Sequence, residues 1–161
     1  MSIVILTTGG TFDKIYFDAN SEYSIGEPCI SSILDEGNVM SDYRVQSILK
    51  KDSLDITHSE REIIKKSVIE CEEERIIITH GTDTMVETAK FLEDVKEKTI
   101  VLTGAMIPYA YGSSDGLFNL GAALAFVQAL APGVYVAMNG SYFKWDNVTK
   151  NTKTGYFEVK Q

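Results

Sequence analysis

Two short stretches, Thr7-Thr8-Gly9-Gly10-Thr11 and Thr79-His80-Gly81-Thr82-Asp83-Thr84, put hydroxyls, glycines and a carboxylate side by side. Groups of this kind suit acyl transfer, which needs an alcohol nucleophile, a carrier for its proton, and donors for a developing oxyanion. Thr11 and Thr82 are both candidate nucleophiles. A threonine hydroxyl is weakly acidic, so it needs a neighbouring base rather than mere exposure. Asp83, next to Thr82, and a lysine can supply that proton management. Backbone N–H groups at Gly10 and around Gly81 to Thr82 are candidate oxyanion donors. On the residues alone, two plainer readings stay open. The first stretch is also an ordinary Gly- and Thr-rich turn, and the second is also a set of capping residues, since Thr84-x-x-Glu87 has capping-box spacing.

Other chemistries fit less well. A phosphate loop would need a GK[ST] ending or a GxGxxG pattern, and the first stretch has neither. Only two histidines occur. His80 is read as holding its loop by hydrogen bonding, His58 as a surface or turn residue, and neither completes a Ser-His-Asp set. The isolated histidines and scattered carboxylates show no metal-ligand spacing, so no metal is expected. Cys29 and Cys71 lie far apart without a CxxC, and free thiols are the expectation.

The elements that must position these groups alternate along the chain. Ile3-Val4-Ile5-Leu6, Tyr43 to Leu49, Ile76-Ile77-Ile78, Thr99 to Thr103 and Val134 to Met138 read as strands, most of them continuous apolar runs typical of strands buried on both faces. A helix is expected through Ile30, Ile33 and Leu34, closed by Gly37. A second should follow a capping box at Ser59-x-x-Glu62, with Ile64, Val68 and Cys71 inward. A third follows Thr84, with Met85, Ala89 and Leu92 on one face. A fourth starts at Asp115 as N-cap, carries Leu117, Leu120, Leu124 and Val127 on its stripe, and stops at Pro132-Gly133. Phe12 to Glu27 reads as one long loop, with Tyr16 and Tyr23 as its polar aromatics. Shorter strand-like pieces follow at Ser141 to Phe143 and Tyr156 to Val159. This alternation predicts an α/β fold, an open, mainly parallel sheet with helices on both faces, in a single domain over residues 1–161. In a parallel sheet the strand ends share one edge, so Thr11, Ser53, Thr82 and Asp83 should converge there.

Taken together, Thr7-Thr-Gly-Gly-Thr11 and Ile78-Thr-His-Gly-Thr-Asp-Thr-Met85 resemble the two signature stretches of the bacterial-type L-asparaginase/glutaminase family. Thr103-Gly-Ala-Met-Ile-Pro108, Ser114-Asp-Gly-Leu-Phe-Asn-Leu120 and Asp146-Asn-Val-Thr-Lys150 look like further family segments in the expected order. The resemblance implies hydrolysis of L-asparagine to L-aspartate and ammonia, with Thr11 as nucleophile and an acyl-enzyme, and without metal or organic cofactor. It implies that Tyr23, or else Tyr16, assists Thr11. Thr82, Asp83 and Lys150 would act together on water and protons. Gly10, Ser53, Thr82 and Asp83 would bind substrate, Ser53 at the α-carboxylate and Asp83 at the α-ammonium. Typical members carry a second, C-terminal domain, so the chain resembles short members made of the N-terminal domain, and a homodimer or higher homo-oligomer is expected. Three alternatives keep the same site: a glutaminase, the amide-donor component of a tRNA-dependent amidotransferase, and a non-catalytic module binding asparagine or aspartate.

Bulk composition sets the outer limits. Of the 161 residues 44% are hydrophobic and 24% charged, an ordinary globular balance that can build a core without disulfides or metal. A net charge of -8 with no basic run argues against nucleic acid as a partner. The longest apolar stretch, Leu120 to Val136, is broken by glycines, glutamine and proline, so no membrane span is expected. The short apolar N-terminus lacks a positive region, and a cytoplasmic protein is expected.

Overall fold

The computed structural model describes residues 2–17 and 22–161. In chain order the strands are β1 (Ile3–Gly9), β2 (Lys14–Phe17), β3 (Glu22–Ile25), β4 (Tyr43–Lys51), β5 (Arg75–Thr79), β6 (Thr99–Thr103), β7 (Gly133–Met138), β8 (Ser141–Lys144), β9 (Thr149–Lys150) and β10 (Phe157–Glu158). The helices are α1 (Ile30–Glu36), α2 (His58–Glu70), α3 (Met85–Phe91) and α4 (Gly116–Ala129). Six strands form one sheet in the order β4-β1-β5-β6-β7-β8, parallel throughout except for β8, which runs antiparallel to β7.

Alternation along the strands sorts the core into two layers, because successive side chains point to opposite faces. Val4, Leu6, Ile76, Ile78, Ile100, Leu102, Val134 and Val136 pack with Ile64 and Val68 of α2 and Met85 and Ala89 of α3. Ile3, Ile5, Ile77, Val101, Tyr135 and Ala137 pack on the other face with Ile30 and Leu34 of α1 and Leu120, Ala123, Leu124 and Val127 of α4. Helices therefore cover both faces, as the uninterrupted apolar strands require. Burying each such side chain contributes about 1.5–3 kcal/mol before entropy is counted.

The sheet order places the site. From β1 the chain crosses by α1 to β4 on one side, then by α2 to β5 on the other side of β1. The carboxyl ends of β1 and β5 therefore flank a topological switch point, the place where open α/β sheets leave a crevice for ligands.

Several local expectations are corrected. The presumed loop from Phe12 to Glu27 contains a 3-10 turn, Thr11–Asp13, and an antiparallel hairpin in which Tyr16 pairs directly with Tyr23; residues 18–21 lie outside the described residues. Its strands escaped notice because they are largely exposed and carry no buried alternation. The box capping α2 is Thr57 with Glu60, two residues before the Ser59–Glu62 spacing, because Thr57 is the residue with extended backbone at the helix start. Thr84 and Asp115 occupy N-cap positions but cap nothing in their own helices. Leu117 is 42% exposed rather than on the buried stripe of α4.

Candidate active site

The site is assembled where three loops meet through glycines. Gly10 follows β1 with φ 81 and ψ -167, a conformation that L-residues with a Cβ avoid. A Cβ on Gly10 would lie 2.5 Å from Gly81 N and 2.7 Å from Gly81 Cα. Backbone thus touches backbone between the loops after β1 and β5. Gly81 in turn sits against Ser53 of the loop after β4: a Cβ there would lie 2.6 Å from Ser53 Cβ and 2.7 Å from its Oγ. A fourth loop closes in after β6, since a Cβ on Gly104 would lie 2.5 Å from His80 O and 3.2 Å from Thr82 Cγ2. Thr11 and Thr82, each one residue past its glycine, leave this contact point together.

Lys150 completes the group from the far end of the chain. Its Nζ donates to Thr82 Oγ1 at 2.9 Å and to Asp83 Oδ1 at 2.7 Å. Thr82 is buried, the Lys150 side chain is 16% exposed and that of Asp83 49% exposed. A hydroxyl, a carboxylate and an ammonium in one bonded set can pass a proton without any of them being buried unpaired. Lys150 is held by its pairing in β9, where it lies opposite Phe157 of β10, and Phe157 is anchored in the core.

His80 is a fixture of the loop. It is buried, and its Nδ1 lies 2.8 Å from Gly81 O while its Nε2 lies 2.8 Å from Thr88 Oγ1. A carbonyl oxygen only accepts, so Nδ1 carries the proton. Burial lowers the ring's pKa to about 4, so it is neutral, and Nε2 must accept from the Thr88 hydroxyl. Arg61 Nε donates to the same Thr88 oxygen at 3.0 Å. Every partner of the ring is used up in orienting the Gly81 carbonyl, which agrees with the loop-holding reading.

The remaining candidates have partners of their own. Ser53 is 1% exposed; its Oγ accepts from Thr84 N at 3.4 Å, and its carbonyl accepts from Thr84 Oγ1 at 2.8 Å. The loop after β4 therefore caps α3 from outside, which explains why Thr84 needs no box with Glu87. Gly10 N donates to Lys51 O at 2.9 Å, so this N–H is spent on the sheet edge and is withdrawn as an oxyanion donor. Gly10 serves the site by permitting close approach. Tyr23 is exposed on its hairpin, with its ring 5.4 Å from Tyr16 and 6.5 Å from Tyr111. The Tyr23 hydroxyl beside Tyr111 raises the Tyr111 phenol above its ordinary pKa. Asp13, two residues past Thr11, is buried and accepts from Cys29 N at 2.9 Å; burial raises its carboxyl pKa.

Arg61 and Thr88, the partners that fix His80, were not among the expected site residues, and no local pattern marks them. Asp115 has a task other than the expected N-cap. Its carboxylate accepts from Met106 N at 3.0 Å and Ile107 N at 2.9 Å, shaping the turn after β6. Among the described residues no cluster of three or more His, Cys, Asp or Glu can hold a metal ion, and no helix is long and apolar enough to cross a membrane.

The chain is 35% identical to the probable periplasmic L-asparaginase of Haemophilus influenzae over 95% of its own length and 47% of that protein's. It is 34% identical to the glutaminase-asparaginase of Acinetobacter glutaminasificans, covering 92% of this chain and 49% of the relative. The thermostable L-asparaginase of Thermococcus kodakarensis superposes with a TM-score of 0.84 at 28% identity, over 99% of this chain and 51% of that one. The chain spans about half the length of the curated relatives it matches. The family described as asparaginase, N-terminal, matches residues 2–159, and with that coverage the chain belongs to the asparaginase family.

Proposed function

We propose that this chain is an amidohydrolase that converts L-asparagine and water to L-aspartate and ammonia. The observation that carries the reading is the bonded set Lys150–Thr82–Asp83, closed across 67 and 68 positions of sequence beside the Gly10–Gly81 contact from which Thr11 emerges. In this reading the Thr11 oxygen adds to the side-chain amide carbon while its proton passes towards the leaving nitrogen. The C–N bond breaks, ammonia departs, and the aspartyl group is left as an ester on Thr11. Water placed by Thr82 then adds to the ester carbon, with Lys150 and Asp83 carrying the proton, and the ester bond breaks to restore the Thr11 hydroxyl. Backbone N–H groups around Gly81 and Thr82 supply the oxyanion donors, a contribution of about 10²–10³ in rate per donor. Asp83, half exposed, holds the substrate ammonium, and Ser53 the α-carboxylate. Tyr23 assists Thr11; because Tyr16 is its direct cross-strand partner, one hairpin carries both candidate tyrosines.

Ammonia release from L-asparagine by the wild type and by Thr11→Ala tests the reading. Turnover by the wild type with loss in the variant is expected; equal activity, or equal inactivity on both L-asparagine and L-glutamine, overturns it. The Acinetobacter relative is described as a glutaminase-asparaginase, so L-glutamine is measured alongside. Assembly as a homodimer or larger homo-oligomer belongs to the same proposal. Exposed Phe118, Met106 and Tyr156 support it, and sedimentation of an active monomer would refute it. A cytoplasmic setting is supported by the free thiols of Cys29 and Cys71, against the periplasmic description of the Haemophilus relative.

A further inference from the structure

The Thr82–Asp83 loop and the strand bearing Lys150 come from distant parts of the chain, yet they meet in a contact of 2.9 Å at Thr82 Oγ1 and 2.7 Å at Asp83 Oδ1. We propose that Asn119 is the positioning residue that sets it. Asn119 stands on α4 and is 1% exposed, a polar side chain on an otherwise apolar buried stripe. Its Nδ2 donates to Gly104 O at 2.9 Å and to Asp115 Oδ2 at 3.0 Å, and its Oδ1 accepts from Asn139 N at 3.2 Å. A carbonyl and a carboxylate receive both amide protons while a backbone N–H meets the amide oxygen. The orientation is unambiguous, and only an amide satisfies all three.

Each arm leads to one side of the catalytic set. Gly104 is the residue packed on His80 O and Thr82 Cγ2. Asn139 sits in the turn between β7 and β8 at φ 55, and its Oδ1 accepts from Phe157 N at 3.0 Å. Phe157 is the register partner of Lys150. One buried amide therefore ties the support of Thr82 to the support of Lys150. Displacing a reacting group by about 1 Å costs about 10²-fold in rate.

The inference rests on the amidohydrolase reading, and its test separates the two. Asn119→Ala, Asn119→Asp, Asn139→Ala and Asn139→Asp are compared in the full chain. Asn119→Ala and Asn119→Asp lower kcat about 10–100-fold with KM within about threefold; aspartate fails because it offers no proton to Gly104 O and faces the Asp115 carboxylate. Asn139→Asp retains the acceptor for Phe157 and most of kcat, while Asn139→Ala follows Asn119→Ala. Independently of turnover, the wild type is expected to show a hydrogen-bonded Lys150 ammonium signal by NMR that is lost in Asn119→Ala, and the Phe157 amide is expected to exchange faster at pH and temperature where the variant remains folded by urea titration. An unaltered Lys150 signal with unaltered Phe157 exchange overturns the proposal, whatever happens to overall stability. If the wild type hydrolyses neither amide, the proposed function fails and these two spectroscopic readouts alone decide the role of Asn119.

Discussion

Lys150→Met separates a catalytic role for Lys150 from a structural one because the two predict very different magnitudes. The substitution keeps most of the stem and removes the ammonium, with its bonds to Thr82 Oγ1 at 2.9 Å and Asp83 Oδ1 at 2.7 Å. Asp83 is 49% exposed, so water takes over its solvation and screening reduces what the pair was worth. The expected stability loss is about 1 kcal/mol or less, or about 2–4 °C in Tm for a chain of this size. The rate effect comes from a proton carrier withdrawn at its point of action, typically about 10²–10⁴-fold. That corresponds to about 3–5 kcal/mol in the barrier, several times the stability term. Ammonia release under saturating L-asparagine, paired with a urea titration of the same preparation, measures both. A kcat within tenfold of wild type would refute the proton-carrying role. A stability loss above about 3 kcal/mol would instead make Lys150 a structural pin, because the screened pair cannot supply that much.

Other outcomes follow from single contacts. Gly10→Ala places a Cβ 2.5 Å from Gly81 N at a positive φ, costing about 1–2 kcal/mol for the backbone alone and more for the displaced loop; urea midpoints should fall and turnover with them. His80 has a folded pKa near 4, below its ordinary 6.5, so the unfolded chain takes up the proton first as pH falls. Its contribution is complete above about pH 6.5 and declines towards pH 4, by about 2 kcal/mol at pH 5; His80→Gln should flatten that part of the stability–pH curve, and a slope equal to wild type would contradict the assignment. Thr57→Ala should cost about 0.5–2 kcal/mol while Ser59→Ala stays within about 0.5 kcal/mol, and the reverse ranking would mean the cap of α2 lies elsewhere.

How much of the molecule was legible in advance depended on how local the signal was. The strands β1, β5, β6 and β7 announce themselves as apolar runs because they are covered on both faces, and their order with intervening helices implies a parallel sheet. The β2–β3 hairpin was missed because strands that face solvent lose the alternation that marks a half-buried strand. The antiparallel β8 was legible as the strand-like piece at Ser141 to Phe143, and the Asn139-Gly140 pair before it, both residues at positive φ, makes the tight turn that reverses the chain. Thr84 misled because Thr-x-x-Glu is a capping box only if no better partner arrives. Here Ser53 arrives from 31 residues away.

The sequence by itself determined which chemistry was available, in two hydroxyl- and glycine-rich stretches, and the sheet that carries them, because residue type and unbroken apolar runs are properties of short segments. Only the tertiary structure decided what each group does. Gly10 turned from an oxyanion donor into a point of close approach because its N–H is spent on Lys51 O. His80 was locked neutral, and Lys150 and Asn119 were brought to loops far from them in sequence. Hydrogen bonds of that span depend on where the packed core places the ends of separate elements, and no local pattern of residues encodes those positions.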